Sequence, residues 1–515
     1  MSKELRNIIS VSGTTILSRI TGLLRDVLIV AALGASIWSS AFILGFTLPN
    51  LFRRLFGEGA LTSAFIPIFS AIYKKESTAK SLLFFNRFLF RWVLFLLGFI
   101  SLFYFIINSF LSLDILSFRW EAAFELLNLL LPYILLVCLA AIAGGALNVF
   151  GRFLIPAAAP IVFNLCLILF ILIGMVREED AERLVIWLCF GVLAGGLLQL
   201  LLPLFELFKF GWLPRWAFRM KDQQKEWLDF WSLFTPSLIG AAVLQINLLI
   251  SRLLAYTLED SAVTLLYISS RLMELPLGVF TIAIVTVYFP SMARAFASES
   301  VASFQQVFYK GLRLILLIVA PSTIGLWLLS EPILVALFEW GSFASSDVLE
   351  TVPIVSIFAL SLPFYSMATY YTRTFYAQKN MRAPVKVSAY VLIINTVFSL
   401  LLMPFIGIYG LALANLISAL FFCFLLQFEL KKAYKILILE GVQSIFLPVC
   451  TGCLGILLLC IIGQALLGSM ELNSKMLSLL TLVTLIPSSA FLYFYILYKS
   501  KVKDIAFLGS YLGLK

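Results

Sequence analysis

The chain contains no histidine in its 515 residues. A histidine proton relay, a histidine general base and a histidine-ligated metal are therefore excluded. Charge is scarce as well: Asp, Glu, Lys and Arg make up 12% of the sequence, against roughly 25% in an ordinary soluble protein. Cysteine is limited to Cys138, Cys166, Cys189, Cys423, Cys450, Cys453 and Cys460, all within apolar runs. Cys450 and Cys453 form a CxxC, but no second pair accompanies them. A zinc or redox site would need more ligands or an exposed thiolate. These cysteines read as small buried helix residues, and neither a metal nor a cofactor is expected.

What is present is apolar: 62% of the residues are hydrophobic. Runs of about 20 such residues recur along the whole chain, each long enough to cross a bilayer core of ~30 Å as a helix. The alternation a membrane barrel requires is missing, and the helix is then the only way to satisfy the backbone in lipid. The fold class expected is an all-α polytopic membrane protein. The net charge of +10 fits basic cytoplasmic loops rather than a nucleic-acid partner. The first apolar run begins near Ile8, is broken by charges and lacks a small-residue cleavage site, so it reads as a retained span and not a signal peptide.

Length and apolarity predict about fourteen spans, centred near Ile20, Leu44, Leu97, Val137, Ile168, Val192, Val243, Ile282, Ile318, Leu362, Ile394, Ile417, Gly455 and Ala490. The connections between them alternate in charge. Lys74, Lys75, Lys80, Arg87 and Arg91 fall on the second, Arg152 on the fourth, Lys209 to Lys225 on the sixth, Arg373 to Lys386 on the tenth, and Lys431, Lys432 and Lys435 on the twelfth. The intervening connections are uncharged, or acidic as at Glu178–Asp180, Glu259-Asp260 and Glu331–Glu350. This positive-inside pattern predicts both termini on the cytoplasmic face of a bacterial inner membrane. The stretch Gly211–Trp227 mixes tryptophan with basic residues, and reads either as an amphipathic segment on the inner interface or as a solvated linker.

An internal repeat is visible. Phe150–Asn164 and Phe375–Asn395 each end a span on an aromatic, cross a basic turn and restart at proline. Phe190-Gly191 matches Tyr409-Gly410, and Leu48-Pro49 with Pro67 is echoed by Leu275-Pro276 with Pro290. The domains expected are a six-helix lobe over 1–222, a second over 223–436 related to it by a pseudo-two-fold, and two further spans with a tail over 437–515. Repeats in transporters commonly place the substrate site at their interface.

The informative charges lie inside apolar runs. One span holds Arg19, Arg25 and Asp26, and the next ends with Arg53, Arg54 and Glu58. A charge at membrane depth costs at least ~2.5 kcal/mol on insertion scales, and such residues usually face a cavity. Arg19 lies about 16 Å along its helix from Ile8 at 1.5 Å per residue. Arg19 and Asp26, seven apart, share a face, with Ser18 and Arg25 as a second polar stripe beside them. Arg54 and Glu58 are spaced to pair. Later, Arg271 and Glu274 stand at i,i+3 beside Ser269 and Ser270, and Arg252 lies near the outer end of the seventh span. Snorkelling or helix-locking pairs account for Arg252 and Arg54. The functional alternative has Arg19, Arg25, Arg53 and Arg271 converging on one aqueous cavity. Guanidinium is a flat fork of donors suited to phosphate, so cations bordered by few acids imply an anionic substrate, most simply a phosphate or pyrophosphate. Pro49, Pro132, Pro236, Pro276, Pro363 and Gly144-Gly145 suggest bent helices.

These residues resemble the MurJ (MviN) family of lipid II flippases, within the multidrug/oligosaccharidyl-lipid/polysaccharide (MOP) exporter superfamily. The resemblance is carried by Ser18-Arg19 with Gly22 and Arg25-Asp26, by Leu48-Pro49-Asn50 with Arg53-Arg54, by Gly57-Glu58-Gly59-Ala60 with Phe65 and Pro67, by Ser270-Arg271 with Glu274, and by Pro290-Ser291, Phe375-Tyr376-Ala377 and Pro384-Val385. It runs from about Ile9 to Leu430 and implies a fourteen-helix flippase. Such a protein moves undecaprenyl-pyrophosphate-linked disaccharide-pentapeptide to the outer leaflet for peptidoglycan synthesis. It also implies that Arg19, Arg25, Arg53 and Arg271 bind substrate, supported by Ser18, Asp26, Asn50, Arg54, Glu58, Ser270 and Glu274. The last two helices would hold the lipid tail. Lipid II, membrane lipids and cell-wall synthases are the partners this implies. Ser40 and Ser270 stand where many members carry Asp, which makes this cavity more cationic. Some members bind sodium, but the eleventh span here offers only Asn395. Two other classes compete: another MOP-type exporter of lipid-linked polysaccharide or drugs, and a membrane enzyme acting on polyprenyl phosphates. The enzyme would need a carboxylate cluster or a nucleophile–base pair, and no DxxD or histidine is available.

Overall fold

The computed structural model describes residues 3–57, 59–113, 116–215, 224–298, 300–436 and 438–505, and no strand occurs among them. The helices are α1 Lys3–Leu33, α2 Ile37–Phe52, α3 Ala60–Lys75, α4 Thr78–Leu111, α5 Phe118–Val149, α6 Leu154–Val176, α7 Ala181–Lys209, α8 Gln224–Tyr256, α9 Ala262–Pro276, α10 Ile282–Ala297, α11 Val301–Leu328, α12 Ser330–Phe338, α13 Ser345–Ala377, α14 Arg382–Tyr434, α15 Ile438–Gly468 and α16 Ser474–Lys499. Ser36, Ser77, Asp180, Ser300 and Asn473 start five of them, each side chain accepting a backbone N–H that the helix cannot satisfy.

Two crossings are built from helix pairs. A π-helical turn at Arg53–Gly57 lies between α2 and α3, and another at Leu277–Thr281 joins α9 to α10. Pro49 and Pro276 stand just before them. Proline removes a helix hydrogen bond and crowds the preceding turn, and a widened turn relieves both. A third interruption falls at Ile406-Gly407 in α14, where Gly407 has φ +56° and ψ −132°. Among the described residues, twelve helices or helix pairs are long and apolar enough to cross a membrane. With α14 counted as two segments and α1 added, the crossings fall on the fourteen apolar runs read from the sequence.

By close contact the chain divides into two units, 1–264 with 341–343 and 265–340 with 344–515. In the first, α5 is the centre, packing on α2, α4 and α7, while α6 packs on α7 and α1. Gly196 lets α7 approach α5 closely: a Cβ there would lie 2.6 Å from the Tyr133 ring. An aromatic cluster, Phe65, Phe84, Phe88, Trp92 and Phe230, fills the space between α3, α4 and α8. The sequence reading opens its second lobe at residue 223, whereas α8 packs on α2 and α3. The start of the Gly211–Trp227 stretch is anchored: Trp212 is buried and donates to Asn86 Oδ1 at 2.9 Å. Residues 216–223 lie outside those described.

In the second unit α11 packs on α10, α13 and α15, α13 on α14, and α16 on α15 and α12. Helices in lipid gain little hydrophobic drive toward one another, so packing and interhelical hydrogen bonds matter more, at ~0.6 kcal/mol each on average. Tyr370 donates to the Phe308 carbonyl and Tyr493 to the Leu317 carbonyl, both at 2.9 Å. The cysteines are all free; Cys450 is exposed on α15 rather than buried, the other members of the set being buried or half-buried.

The α1–α2 turn demands glycine. Gly34 has φ +64°, and a Cβ there would lie 2.6 Å from the Ser342 carbonyl oxygen. Gly34→Ala should cost ~1–3 kcal/mol in backbone strain alone. It is expected to lower the melting temperature of the detergent-solubilised chain, and an unchanged melt would contradict the turn geometry.

Candidate functional site

The candidate site charges of the first unit, Arg19, Arg25, Asp26, Arg53 and Arg54, sit on α1 and on the π-turn. Arg25 Nε and Nη2 donate to Asp26 Oδ1 at 3.0 and 2.5 Å, and Nη1 donates to Asn164 Oδ1 of α6 at 2.9 Å. The Asn164 amide in turn donates to the Ser18 carbonyl at 3.2 Å and to Thr21 Oγ1 at 3.3 Å. One asparagine thus ties α6 to α1 and orients the guanidinium. Asp26 is 5% exposed, so the pair is charge-compensated where an isolated carboxylate would be costly. The sequence reading places Asp26 on the Arg19 face, and the structure turns its carboxylate to Arg25. Arg19 is exposed on a face of α1 shared with Ile16 and Ile20, and makes no hydrogen bond or ion pair among the described residues.

On the next crossing, Arg53 Nε donates to Asn50 Oδ1 at 2.9 Å. Arg54 is half-buried beside it, and its expected partner Glu58 lies outside the described residues. Ser40, with Ser39, hydrogen-bonds Thr264 at 3.1 and 2.8 Å, and all three side chains are fully buried. Ser40 thus belongs to a neutral hydroxyl cluster. Arg252 of α8 donates to Thr47 Oγ1 of α2 at 2.6 Å, so it locks two helices together.

The second unit holds Arg271. Its Nη1 bonds Glu274 Oε2 at 2.9 Å and its Nη2 donates to Tyr267 Oη at 3.0 Å, with the guanidinium 4.9 Å from that ring. Positions 267, 271 and 274 share one helix face, so tyrosine, arginine and glutamate form a single stripe on α9. Ser270 donates to the Tyr267 carbonyl at 2.8 Å within its own helix.

Sequence reasoning missed Asn164 and Tyr267 as members of these clusters. Asn164 carried a signal: it is the sole amide on α6, a helix otherwise built of apolar residues, and polar side chains inside spans are functional by default. Tyr267 carried none beyond its spacing from Arg271.

This arrangement belongs to a recognisable group. A family model described as "Lipid II flippase MurJ" matches residues 29–494. A protein of Buchnera aphidicola (subsp. Acyrthosiphon pisum), described as a probable lipid II flippase MurJ, is 30% identical over 456 residues, 86% of each chain. A lipid II flippase MurJ solved in an inward closed conformation superposes with TM-score 0.78 at 25% identity, covering 95% of this chain and 98% of that one. An inward-facing multidrug transporter of the MOP superfamily superposes at 0.66 with 12% identity over 83% of this chain and 98% of its own, a likeness of fold. A multi-pass, fourteen-crossing helical membrane protein with these matches is a member of the lipid II flippase MurJ family.

Proposed function

We propose that this chain translocates lipid II, the undecaprenyl-pyrophosphate-linked peptidoglycan precursor, from the inner to the outer leaflet of a bacterial cytoplasmic membrane by alternating access. Arg19, Arg25, Arg53 and Arg271 grip the pyrophosphate, and both termini are cytoplasmic. The observation that carries this reading is Arg19, a cation near the middle of a 31-residue helix, lacking a partner among the described residues and flanked by exposed Ile16 and Ile20. Such a surface is half charge and half grease, and suits an amphiphile with an anionic head and an apolar chain. Phosphate satisfies an arginine as a protein carboxylate would, and without a permanent counter-ion the site can release it.

A cation-exporting drug carrier is less well supported. It would need available carboxylates, and Asp26 and Glu274 are both engaged by arginines. The chain is a carrier rather than an enzyme on this reading, in keeping with the flippase names of its relatives.

The test is access of lipid II to an external cleaving toxin in cells with and without the protein. Depletion should shrink the outer-leaflet pool, and Arg19→Ala should fail to restore it at normal membrane levels. An outer pool unchanged by depletion would remove the flippase assignment.

A further inference from the structure

We propose that the second unit also binds one anionic glycerophospholipid of the surrounding bilayer, in a pocket formed by the C-terminal end of α10, the N-terminal end of α11 and the C-terminal end of α14. The pocket is a cavity of about 300 Å³ lined by Phe296, Ala297, Ser300, Val301, Phe304 and Tyr434. Its three rings meet one another: the centroid separations are 6.0 Å for Phe296–Phe304, 6.1 Å for Phe296–Tyr434 and 5.8 Å for Phe304–Tyr434. Phe304 is 3% exposed, whereas Phe296 is 39% and Val301 59% exposed. The cavity therefore has a packed floor and an open apolar lip. Its far wall is held in place, because Gln305 Nε2 donates to the Tyr434 and Lys435 carbonyls at 3.5 and 3.4 Å.

The lining calls for hydrocarbon and the surroundings for negative charge. Arg294, Lys431, Lys432 and Lys435 are all exposed and stand within three residues of Phe296 or Tyr434, against one acid, Glu299, as near in sequence. Lys431 and Lys432 complement the negative end of the α14 dipole and Arg294 that of α10, but that role does not account for the aromatic hollow. Aromatic rings at headgroup level beside a lysine and arginine cluster are the recognition chemistry of an anionic lipid. A zwitterionic lipid would carry its own ammonium into a cationic surplus, and a quaternary ammonium, the usual guest of an aromatic cage, meets the same repulsion. Which leaflet supplies the lipid rests on the orientation proposed above; the binding does not.

The test is native mass spectrometry of the purified full chain titrated with phosphatidylglycerol or phosphatidylcholine of matched acyl chains. The first phosphatidylglycerol is expected to bind at least about tenfold tighter than phosphatidylcholine. Ala297→Trp, which fills the cavity from an exposed position, should remove that first tight lipid. The triple variant Lys431→Gln, Lys432→Gln, Lys435→Gln should bring phosphatidylglycerol down to the phosphatidylcholine level. Glycerol phosphate without acyl chains should not compete. Equal affinity for both lipids in the wild type, an unchanged preference in the triple variant, or full competition by glycerol phosphate would each overturn the site. So would unaltered binding by a folded Ala297→Trp; if that variant fails to fold, the triple variant decides. Tight phosphatidylglycerol binding by a chain that does not translocate lipid II upholds this site and overturns the flippase reading alone.

Discussion

Arg25→Ala is expected to abolish growth of a flippase-depleted bacterium that the unaltered chain sustains. Three atoms of this guanidinium are engaged, two on Asp26 and one on Asn164, so the side chain is fixed rather than adaptable. Its removal takes the Arg25 guanidinium away from Asp26, 5% exposed, and breaking a buried pair costs ~3–5 kcal/mol in soluble proteins. Loss of growth alone would therefore not separate folding from substrate binding. Arg25→Lys does. Lysine keeps a positive charge beside Asp26 but cannot span carboxylate and amide with one planar fork. Arg25→Lys should reach the membrane at normal levels and yet lower translocation by ~10-fold or more, the equivalent of ~1.4 kcal/mol. Immunoblots of membranes and toxin access to lipid II read the two quantities separately. Full growth with Arg25→Ala would take this residue out of the substrate site.

Asn164→Asp should impair translocation more than Asn164→Ala. Alanine removes an acceptor from Arg25 and a donor from the Ser18 carbonyl and Thr21, a loss of about 1–3 kcal/mol for buried groups left unmade. Aspartate restores the acceptor to Arg25, and with charge assistance. Like alanine, aspartate lacks the donor to the Ser18 carbonyl and Thr21, so if Asn164 only held helices together, both variants would lose translocation in step with their loss of membrane level and melting temperature. If the cluster also serves an anionic headgroup, a second carboxylate on the same guanidinium turns a neutral pair into a net negative charge and repels the ligand. The order of the two variants in the toxin assay, taken per folded protein in the membrane, thus distinguishes a scaffold from a positioning residue. Asp outperforming Ala would reject the latter.

Much of the architecture is legible in the residues. Apolar runs locate every crossing, because a helix in lipid has one length scale to satisfy. The Pro404–Gly407 stretch was readable as a join between two spans, and Gly407 adopts a backbone that only glycine holds comfortably. The prolines at 49 and 276 announced irregular helices, although not that a π-turn would follow each. Side-chain partnerships were harder. The seven-residue spacing of Arg19 and Asp26 correctly puts their Cβ atoms on one side, but the long arginine stem at position 25 curls back to its neighbour's carboxylate. Helical periodicity fixes where a side chain starts and says little about where three flexible methylenes end. Thr264 as partner of Ser39 and Ser40 is a contact over 225 and 224 residues, and no local pattern encodes it. The packing of α8 on α2 and α3 was hidden for the same reason, since a sequence repeat reports ancestry rather than neighbours.

Pairing has an electrical consequence. A transmembrane voltage does work only on net charge that moves through its field, ~2.3 kcal/mol per elementary charge per 100 mV. Arg25 with Asp26, and Arg271 with Glu274, each travel as a dipole of zero total charge. In the alternating-access cycle proposed above, neither couple adds to the gating charge, and voltage dependence is expected instead from cations such as Arg19 that carry no built-in ballast.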